Sequence, residues 1–371
     1  MPQIKECGAC HNTELLKLSL EIPQSMRSDG LILNEPLSKF HCPKCGMLNG
    51  TNTQPSNRYL RSTGTSVFDL KRHMNVAQGI SKLLRKYNIG NKANILEIGA
   101  SNFQTSLSIK QLNNSFSVTA IEPSPEQTPN TNEIEIVIED YMTWKAPIKF
   151  DAIFSNQVIE HLQSTQYFLA KSAHDLSDKG YIFVCCPTYE PSHNEILFTD
   201  HIYNFTPQAI DQYCKLTGLK LYDHHIAPWD SLTHIYIIQK ETLNVECIKY
   251  QNADPERLYK ARVNYLQLWS NQQSLALEAL DTKAELLLYG AGEFSQLIKT
   301  YLPEVYSKVS KIIVDDLNGV REFDRNIAIF SDSSLDNCQI LIGTQLSSRN
   351  VIKQKLLNAG VESKNIISLS V

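Results

Sequence analysis

The sequence lacks three features that would each define a class of protein. It has no basic excess: the formal net charge is -4 and the pI is near 6.2, which disfavours a nucleic-acid partner because phosphate backbones are bound by clustered Lys and Arg. No run reaches the ~18 to 20 apolar residues of a membrane span, and residues 1–6 lack the apolar core of a secretory signal. We therefore expect a soluble, cytoplasmic protein with a small-molecule substrate and with no nucleic-acid or membrane partner.

The cysteines also lack the pattern of a disulfide-rich secreted protein. Four of the nine fall in two CxxC pairs, Cys7 with Cys10 and Cys42 with Cys45, and 31 residues separate the pairs. Two such pairs can place four thiolates around one tetrahedral Zn²⁺, and a closed four-sulfur site has no open position for catalysis. We predict a structural zinc ribbon over residues 1–58; the alternative is four unligated thiols.

The second segment, residues 59–244, alternates between predicted strands and helices. It opens with an amphipathic helix whose apolar residues, from Leu70 to Tyr87, recur at helical spacing. Strands are predicted at 95–98, 117–121, 135–138, 151–154, 181–185, 219–224 and 234–238, with helices near 104–112, 164–176 and 207–217. This alternation predicts an α/β fold with a doubly wound, Rossmann-like sheet. The short connection between the last two strands predicts a hairpin, and with it an antiparallel edge strand.

The turn after the first strand of this segment lacks the later glycines of a dinucleotide site. Gly99 ends the strand, but Ser101 and Gln104 stand where glycines would make room for a pyrophosphate. Glu122 ends the following strand, where an acid would hold ribose hydroxyls. The pattern favours a ligand that contains adenosine without a pyrophosphate, and S-adenosylmethionine (SAM) is such a ligand.

Four stretches in order then resemble the class I SAM-dependent methyltransferases: residues 96–99, 121–123, 139–142 and 150–162. The resemblance implies that Glu97 faces the amino end of SAM, that Glu122 holds the ribose and that Asp140 contacts the adenine amine. It also implies that Asn156 lies beneath the methionine portion. The expected cofactor-binding residues are Glu97, Gly99, Ala100, Ser101, Glu122, Pro123, Asp140, Tyr141 and Asn156. The alternative is a relic of the fold that binds no ligand.

The third segment, residues 245–371, begins with a predicted helix over 254–281 and then repeats the strand-turn-helix theme. A G-x-G-x-x-S motif, formed by Gly290, Gly292 and Ser295, follows an apolar strand. Further strands near 311–316, 327–329 and 340–342 and a helix at 351–359 predict a second Rossmann-like α/β domain. Because the third glycine is replaced by serine, both a nucleotide-binding role and a purely architectural one stay open.

The succession of a zinc ribbon, a methyltransferase domain and a Rossmann-like domain resembles the three-domain sugar C-methyltransferases. These enzymes add a carbon branch to nucleotide-linked deoxysugars, and the resemblance covers nearly the whole chain. The family carries a Tyr-x-Glu-His segment after its fifth strand, followed by an aromatic residue. Here Phe198 stands for the tyrosine, Asp200 for the glutamate, and His201 is retained. The resemblance implies a nucleotide sugar as the acceptor.

Methyl transfer requires an acceptor whose proton can be removed at the right moment, and a neutral imidazole titrating near pH 7 suits that task. We expect His201 to be the general base, oriented by Asp200 or by a carboxylate elsewhere. The expected catalytic residues are His201, Asp200, Tyr203 and His161. Asp200 and His201 could instead only fix a loop, the acceptor could be a non-sugar metabolite, and the chain could be a non-catalytic binding or scaffold protein. Carbon, oxygen and nitrogen acceptors stay open, as does the oligomeric state.

Overall fold

The computed structural model describes residues 4–51, 69–190, 194–241, 250–281, 283–317 and 320–371. The strands, numbered along the chain, are β1 (Leu16–Ser19), β2 (Ser25–Met26), β3 (Ile32–Leu33), β4 (Ser38–His41), β5 (Leu48–Gly50), β6 (Asn94–Ile98), β7 (Ser117–Ile121), β8 (Glu135–Val137), β9 (Phe150–Asn156), β10 (Leu176–Pro187), β11 (Tyr203–Asn204), β12 (Leu219–Ala227), β13 (Asp230–Lys240), β14 (Glu285–Tyr289), β15 (Val309–Val314), β16 (Asn326–Ile329), β17 (Cys338–Ile342) and β18 (Ile366–Ile367). The α-helices are α1 (Leu70–Lys86), α2 (Gln104–Leu112), α3 (Thr165–Asp175), α4 (Pro207–Leu216), α5 (Pro255–Glu278), α6 (Glu293–Tyr301), α7 (Pro303–Ser307) and α8 (Leu346–Asn358).

The chain forms two compact units whose bounds differ from the three predicted domains. The first contains residues 4–18, 39–51 and the described residues of 69–261, and the second contains residues 19–38 and the described residues of 262–371. The difference arises because the segment between the two cysteine pairs belongs to the second unit. There, the Gln24 amide donates to the Thr300 carbonyl at 2.6 Å and the Met26 N–H donates to the Tyr301 hydroxyl at 3.3 Å.

The first unit is built on a seven-stranded sheet in the order β12-β13-β10-β9-β6-β7-β8. Adjacent strands from β10 to β8 all pair in parallel, and the strand order reverses between β9 and β6. Neighbouring residues along each central strand enter different apolar clusters. Ile98 and Ile153 lie in the cluster beneath α3 and α4, whereas Ile95 and Phe154 lie in the cluster beneath α1 and α2. Apolar packing therefore covers both faces, which confirms the predicted α/β, doubly wound fold.

The predicted hairpin forms, and it leaves a strand with antiparallel pairing at the edge of the sheet. Strand β13 inserts between β10 and β12 and pairs antiparallel with both. The edge strand is β12. The burial of the two strands explains this order, because residues Ile235 to Ile238 of β13 are buried on both faces, as a central strand requires. Strand β12 instead alternates between buried and more exposed residues, which suits an edge.

The cysteine pairs belong to a separate small sheet of the first unit, in the order β1-β4-β5-β11. Strand β11 is contributed from far along the chain, and it pairs antiparallel with β5 through Tyr203 with Asn49 and Asn204 with Leu48. Three of the four predicted zinc ligands are buried in the apolar core of the first unit, and Cys10 packs at its margin. The ribbon therefore does not form a core of its own within this unit.

The second unit contains a five-stranded, all-parallel sheet in the order β16-β15-β14-β17-β18. Its reversal of strand order between β14 and β17 confirms the predicted Rossmann-like α/β topology. In the part of the chain that the structure describes, no helix is long and apolar enough to cross a membrane.

Candidate active site

The expected ligand site lies at the carboxyl ends of β6, β7 and β9, where the strand order reverses and an open α/β sheet leaves a crevice. Gly99 ends β6 with φ +75°, a backbone conformation that favours glycine. A Cβ atom at this position would meet a methyl carbon of Val158 at 2.4 Å. The glycine is therefore required by its backbone angle and by Val158, which approaches from the loop after β9.

The loop after Gly99 keeps its course without further glycines because Glu122 holds it. Ser101 has φ +52°, which is uncommon for a residue with a side chain. Its N–H donates to Glu122 Oε2 at 3.0 Å, while the N–H of Ser124 donates to Glu122 Oε1 at 3.0 Å. Ala100 beside them is buried, and its N–H donates to the Ile121 carbonyl at 3.2 Å. Burial raises the pKa of Glu122, although these two backbone donors oppose the rise.

Glu97 and Asn156 lie at the ends of β6 and β9, on either side of the point where the order reverses. Glu97 is buried, accepts a hydrogen bond from the Ser106 hydroxyl on α2, and has its pKa raised by burial to about 8. Asn156 Oδ1 is buried and accepts no hydrogen bond from any described residue. An orphaned buried acceptor costs roughly 1 to 3 kcal/mol, so a ligand with an ammonium donor fits here.

The segment after β8 carries two of the expected cofactor-binding residues, Asp140 and Tyr141. The Asp140 carboxylate accepts from the Met142 N–H at 2.9 Å and fixes the turn. The Tyr141 side chain, expected to contact the cofactor, is buried beside Trp144 and Phe168, and its hydroxyl donates to Asp175 on α3 at 3.1 Å. Tyr141 is thus a core residue, and only its backbone is available to contact a ligand. Pro123, after Glu122, is half-buried.

A second cluster of titratable groups surrounds His201. Glu195 Oε2 lies 2.5 Å from His201 Nδ1, and the two side chains form an ion pair. Burial alone would lower the pKa of His201, but the charges of Glu195, Asp200 and Glu160 raise it to about 9. The imidazole is therefore protonated at neutral pH, whereas sequence reasoning expected it to be neutral.

The Asp200 carboxylate lies beside His161, and the carboxylate that pairs with His201 comes from Glu195, elsewhere in the chain. The Asp200 carbonyl lies 3.2 Å from His161 Nδ1 and its carboxylate lies 3.4 Å from the same atom. The ring of His161 packs edge-on against that of His201, with 4.6 Å between the ring centroids. The two imidazole rings are thus in contact, and each pairs with a different carboxylate: His161 with Asp200 and His201 with Glu195.

Glu160 links this cluster to the predicted SAM residues. It is 1% exposed, accepts no hydrogen bond from another described residue, and its pKa is raised by burial to about 8. Burial raises the pKa of the Cys185 thiol on β10, and the charges of Glu160 and Glu97 raise it further. The two carboxylates therefore both lie within electrostatic range of one thiol. Glu160, His161 and His201 also form a group with ligand atoms within 4.8 Å of one another, which is close enough for a metal ion.

Lys39 is a site residue that sequence reasoning missed. It lies on β4, is 1% exposed, and its Nζ donates to the backbone carbonyls of Phe198 and His201, each at 2.6 Å. Burial lowers the pKa of Lys39 to about 8, although the charges of Asp200 and Glu195 oppose the fall. No signal in the sequence separates this lysine from exposed ones, because its partners are carbonyl groups far along the chain.

Tyr203, expected among the catalytic residues, lies in the small sheet that carries the cysteine pairs. It is on β11, and a Cβ atom at Gly8 would lie 3.4 Å from its ring. Its hydroxyl donates to the Gln163 carbonyl at 3.4 Å. Burial and the neighbouring Cys7 raise its pKa. Tyr203 therefore packs against the first cysteine pair.

The four cysteines of the two pairs converge as predicted. Cys7 Sγ lies 3.6 Å from Cys45 Sγ, and Cys10 Sγ lies 3.4 Å from Cys42 Sγ; all four sulfur atoms are within 4.8 Å of one another. A tetrahedral site with metal–sulfur bonds of about 2.3 Å has sulfur–sulfur edges of roughly 3.8 Å. The donor set and its spacing fit a Zn²⁺ ion.

In the second unit, the serine of the G-x-G-x-x-S motif makes its hydrogen bonds within the protein. The Ser295 hydroxyl donates to the Gly290 carbonyl at 2.7 Å and to the Gly343 carbonyl at 3.0 Å. Asp315, after β15, pairs with Lys355 and accepts from the Tyr289 hydroxyl. The acid that a nucleotide-binding domain would offer to a ribose is thus already engaged, which favours the architectural reading of this domain.

The strand order of the sheet is that of a Rossmann-like methyltransferase fold. Residues 68–224 match the family model described as a methyltransferase domain. Among curated proteins, the chain is 22% identical over 173 residues to the (S)-coclaurine N-methyltransferase of Thalictrum flavum subsp. glaucum, covering 42% of this chain and 46% of that protein. It is 22% identical over 187 residues to the pavine N-methyltransferase of the same plant, covering 46% of this chain and 51% of that protein.

Among solved structures, a SAM-dependent methyltransferase from Clostridium acetobutylicum superposes with a TM-score of 0.37 and 10% identity, covering 45% of this chain and 92% of that one. The chain spans about half the length of the curated relatives that it matches. The family model ends within β12.

Proposed function

We propose that this protein is a SAM-dependent methyltransferase whose acceptor is a small polar molecule, a nucleotide-linked deoxysugar, and that His201 is its general base. The observation that carries the proposal is the pair formed by the buried His201 and the partly exposed Glu195 beside the carboxyl edge of a class I methyltransferase sheet. A base at that edge is close to where the methyl group of bound SAM would lie.

The proposed binding of SAM uses the groups at the ends of three strands. Asn156 Oδ1 would accept from the amino group of the methionine portion, which supplies the donor that this buried atom lacks. Glu97 would face the same ammonium, whose charge favours the ionised form of a carboxyl with a raised pKa. Glu122 would accept ribose hydroxyls with the lone pairs left by Ser101 and Ser124.

The transfer itself is an in-line displacement at the methyl carbon. The unprotonated His201 imidazole takes the proton of the acceptor hydroxyl, or of a carbon next to a carbonyl. The freed electron pair forms a bond to the methyl carbon, and the pair of the breaking carbon–sulfur bond returns to sulfur. S-adenosylhomocysteine and the methylated acceptor leave. Glu195 stabilises the resulting imidazolium, because it faces His201 Nδ1 and leaves Nε2 for the acceptor.

We further propose that Cys7, Cys10, Cys42 and Cys45 hold a structural Zn²⁺. The sulfur spacing supports a tetrahedral site, and the turn that carries the second pair is closed by the Gly46 N–H, which donates to the Cys42 carbonyl at 2.8 Å. Four thiolates would complete the coordination shell, so this ion takes no part in methyl transfer.

A second acceptor class is supported by the relatives. The two curated proteins that the chain matches are named N-methyltransferases of coclaurine and pavine. An amine acceptor at neutral pH also has to lose a proton before its lone pair can attack, so the same His201–Glu195 pair would serve it. The sugar acceptor rests on the domain order and on the histidine retained after the fifth parallel strand.

Two measurements test the proposal. Equilibrium dialysis should show saturable binding of SAM, and a lack of binding at millimolar SAM would leave a binding or scaffold protein instead. Transfer from methyl-labelled SAM should then be measured to nucleotide-linked 4-keto sugars, to their hydroxyl forms and to coclaurine. Transfer to a sugar supports the first acceptor class; transfer to coclaurine alone would replace it by the second.

A further inference from the structure

The loop that carries His201 is held by the cysteine-bearing part of the first unit at several points. We call residues 198–206 the His201 loop and the sheet β1-β4-β5-β11 the knuckle sheet. Lys39 Nζ of the knuckle sheet donates to the carbonyls of Phe198 and His201 at 2.6 Å. The Gly50 N–H donates to the Ile202 carbonyl, also at 2.6 Å.

The contacts continue to the far end of the His201 loop. Strand β11 extends the knuckle sheet by pairing with β5. The Thr206 hydroxyl donates to the Cys45 carbonyl at 2.6 Å, and the same oxygen accepts from the Ala209 N–H at 3.3 Å as the N-cap of α4. The backbone of Cys45 is therefore hydrogen-bonded directly to Thr206, the residue that caps the next helix of the methyltransferase domain.

The fit around Lys39 is close enough to need a glycine. A Cβ atom added to Gly50 would lie 3.1 Å from Lys39 Nζ and 3.2 Å from the Ile202 Cα atom. Burying a lysine away from water is costly unless its ammonium is compensated. Here two carbonyl oxygens and the nearby charges of Asp200 and Glu195 supply that compensation. A lysine placed for stability alone would not need to be fully buried.

From these contacts we propose that Lys39 is a positioning residue for the methyl-transfer site, and that the knuckle sheet sets the place of the His201 imidazole. Lys39 binds the backbone on both sides of the 199–200 segment, so it fixes the direction in which the His201 side chain leaves the chain. This inference rests on the proposed function for its catalytic consequence. It explains why two CxxC pairs are attached to a methyltransferase domain whose SAM-binding residues make no use of them.

The decisive variant is Lys39→Met, which removes both donors and keeps a chain of similar length. We expect turnover of a nucleotide-linked 4-keto-6-deoxy sugar to fall about 10- to 100-fold, because a displacement of about 1 Å can have that effect. The dissociation constant for SAM should stay within about twofold, because no SAM-binding group contacts Lys39. Lys39→Arg should recover part of the turnover. The matched control is Lys17→Met, since Lys17 lies exposed on β1 of the same sheet.

Hydrogen exchange gives a readout that needs no acceptor. In Lys39→Met and in the milder Gly50→Ala variant, the amides of residues 198–204 should exchange faster, while those of β6 and β7 keep their rates. Wild-type turnover together with wild-type exchange in Lys39→Met would overturn the inference, as would a parallel loss of SAM binding and turnover. A wild-type protein that binds no SAM would refute the proposed function, and the exchange experiment would still test the positioning.

Discussion

Glu195 Oε2 lies 2.5 Å from Nδ1 of His201, and the buried carboxylate of Glu160 lies within 4.8 Å of the same imidazole. The charges of Glu195, Asp200 and Glu160 outweigh the effect of burial and raise the pKa of His201 to about 9. An imidazole with this pKa is a stronger base than an ordinary histidine. At neutral pH, however, it is protonated in most of the protein molecules.

The pH dependence of methyl transfer should follow this pair. Because the unprotonated imidazole is the active form, the rate should rise with pH up to about 9. Glu195→Gln removes a charge that raises the pKa of His201, so the rising limb should move to lower pH by roughly one unit or more. A pH–rate profile at saturating SAM measures this shift. Glu190→Gln is the control, since Glu190 pairs with Arg257. If the rising limb of the profile stays at the same pH in Glu195→Gln, then Glu195 does not act on the catalytic base.

Loss of His201 should affect turnover and leave cofactor binding intact. We expect His201→Ala to lower turnover by ~10²-fold or more, because a positioned general base contributes about that much. The affinity for SAM should be nearly unchanged, since the base acts on the acceptor. Steady-state kinetics with equilibrium dialysis measures both quantities. His174→Ala on α3, whose imidazole is largely exposed, serves as the control. If turnover persists, another group takes the proton.

Glu122 should govern the affinity for SAM. Glu122→Ala removes the acceptor of the Ser101 and Ser124 N–H groups, and it also removes the proposed partner of the ribose. We expect the dissociation constant to rise about tenfold or more, which corresponds to about 1.4 kcal/mol. Isothermal titration calorimetry measures the change, with Glu139→Ala as the exposed control. Equal affinities in the two variants would mean that the ribose is held elsewhere.

Tyr141 should behave as a core residue. Tyr141→Phe removes the hydrogen bond from its hydroxyl to the buried Asp175 carboxylate, at a cost of roughly 1.5 to 3 kcal/mol in the free energy of unfolding. The affinity for SAM should not change, because the hydroxyl points toward α3. Chemical denaturation and calorimetry give the two values. A loss of SAM affinity at unchanged stability would restore Tyr141 to the cofactor site.

The metal content should depend on the two cysteine pairs. We expect one Zn²⁺ per chain by elemental analysis, and Cys42→Ser should lower it while it speeds hydrogen exchange in residues 39–50. His161→Ala should leave the zinc content unchanged. A second metal ion that disappears in His161→Ala would instead place an ion at the group formed by Glu160, His161 and His201, which is compact enough to hold one.

The main elements of the methyltransferase domain follow from the sequence because local patterns determine them. The strand predicted at 117–121 has those bounds in the structure, and the helix predicted near 104–112 does as well. Apolar runs between turn residues show where buried strands lie, and a proline after Thr206 marks the start of α4. The place of β13 could not be found in this way, since a hairpin leaves open which of its strands faces the rest of the sheet.

The partners of the candidate catalytic groups depended on long-range packing. The sequence leaves both Asp200 and a carboxylate elsewhere in the chain as candidates for the partner of His201; in the structure Asp200 lies beside His161, and Glu195 pairs with His201. Adjacent residues on an extended loop point in different directions, so their side chains rarely share a partner.

The sequence by itself determined that a class I methyltransferase sheet lies between a paired-cysteine segment and a second α/β domain, because hydrophobic periodicity and CxxC spacing are local properties. Tertiary structure alone decided that Lys39, about 160 residues before His201, binds the backbone of the His201 loop. The acceptors of this buried ammonium are backbone carbonyl groups, which every residue has. The type of residue therefore does not predict the contact before the chain is folded.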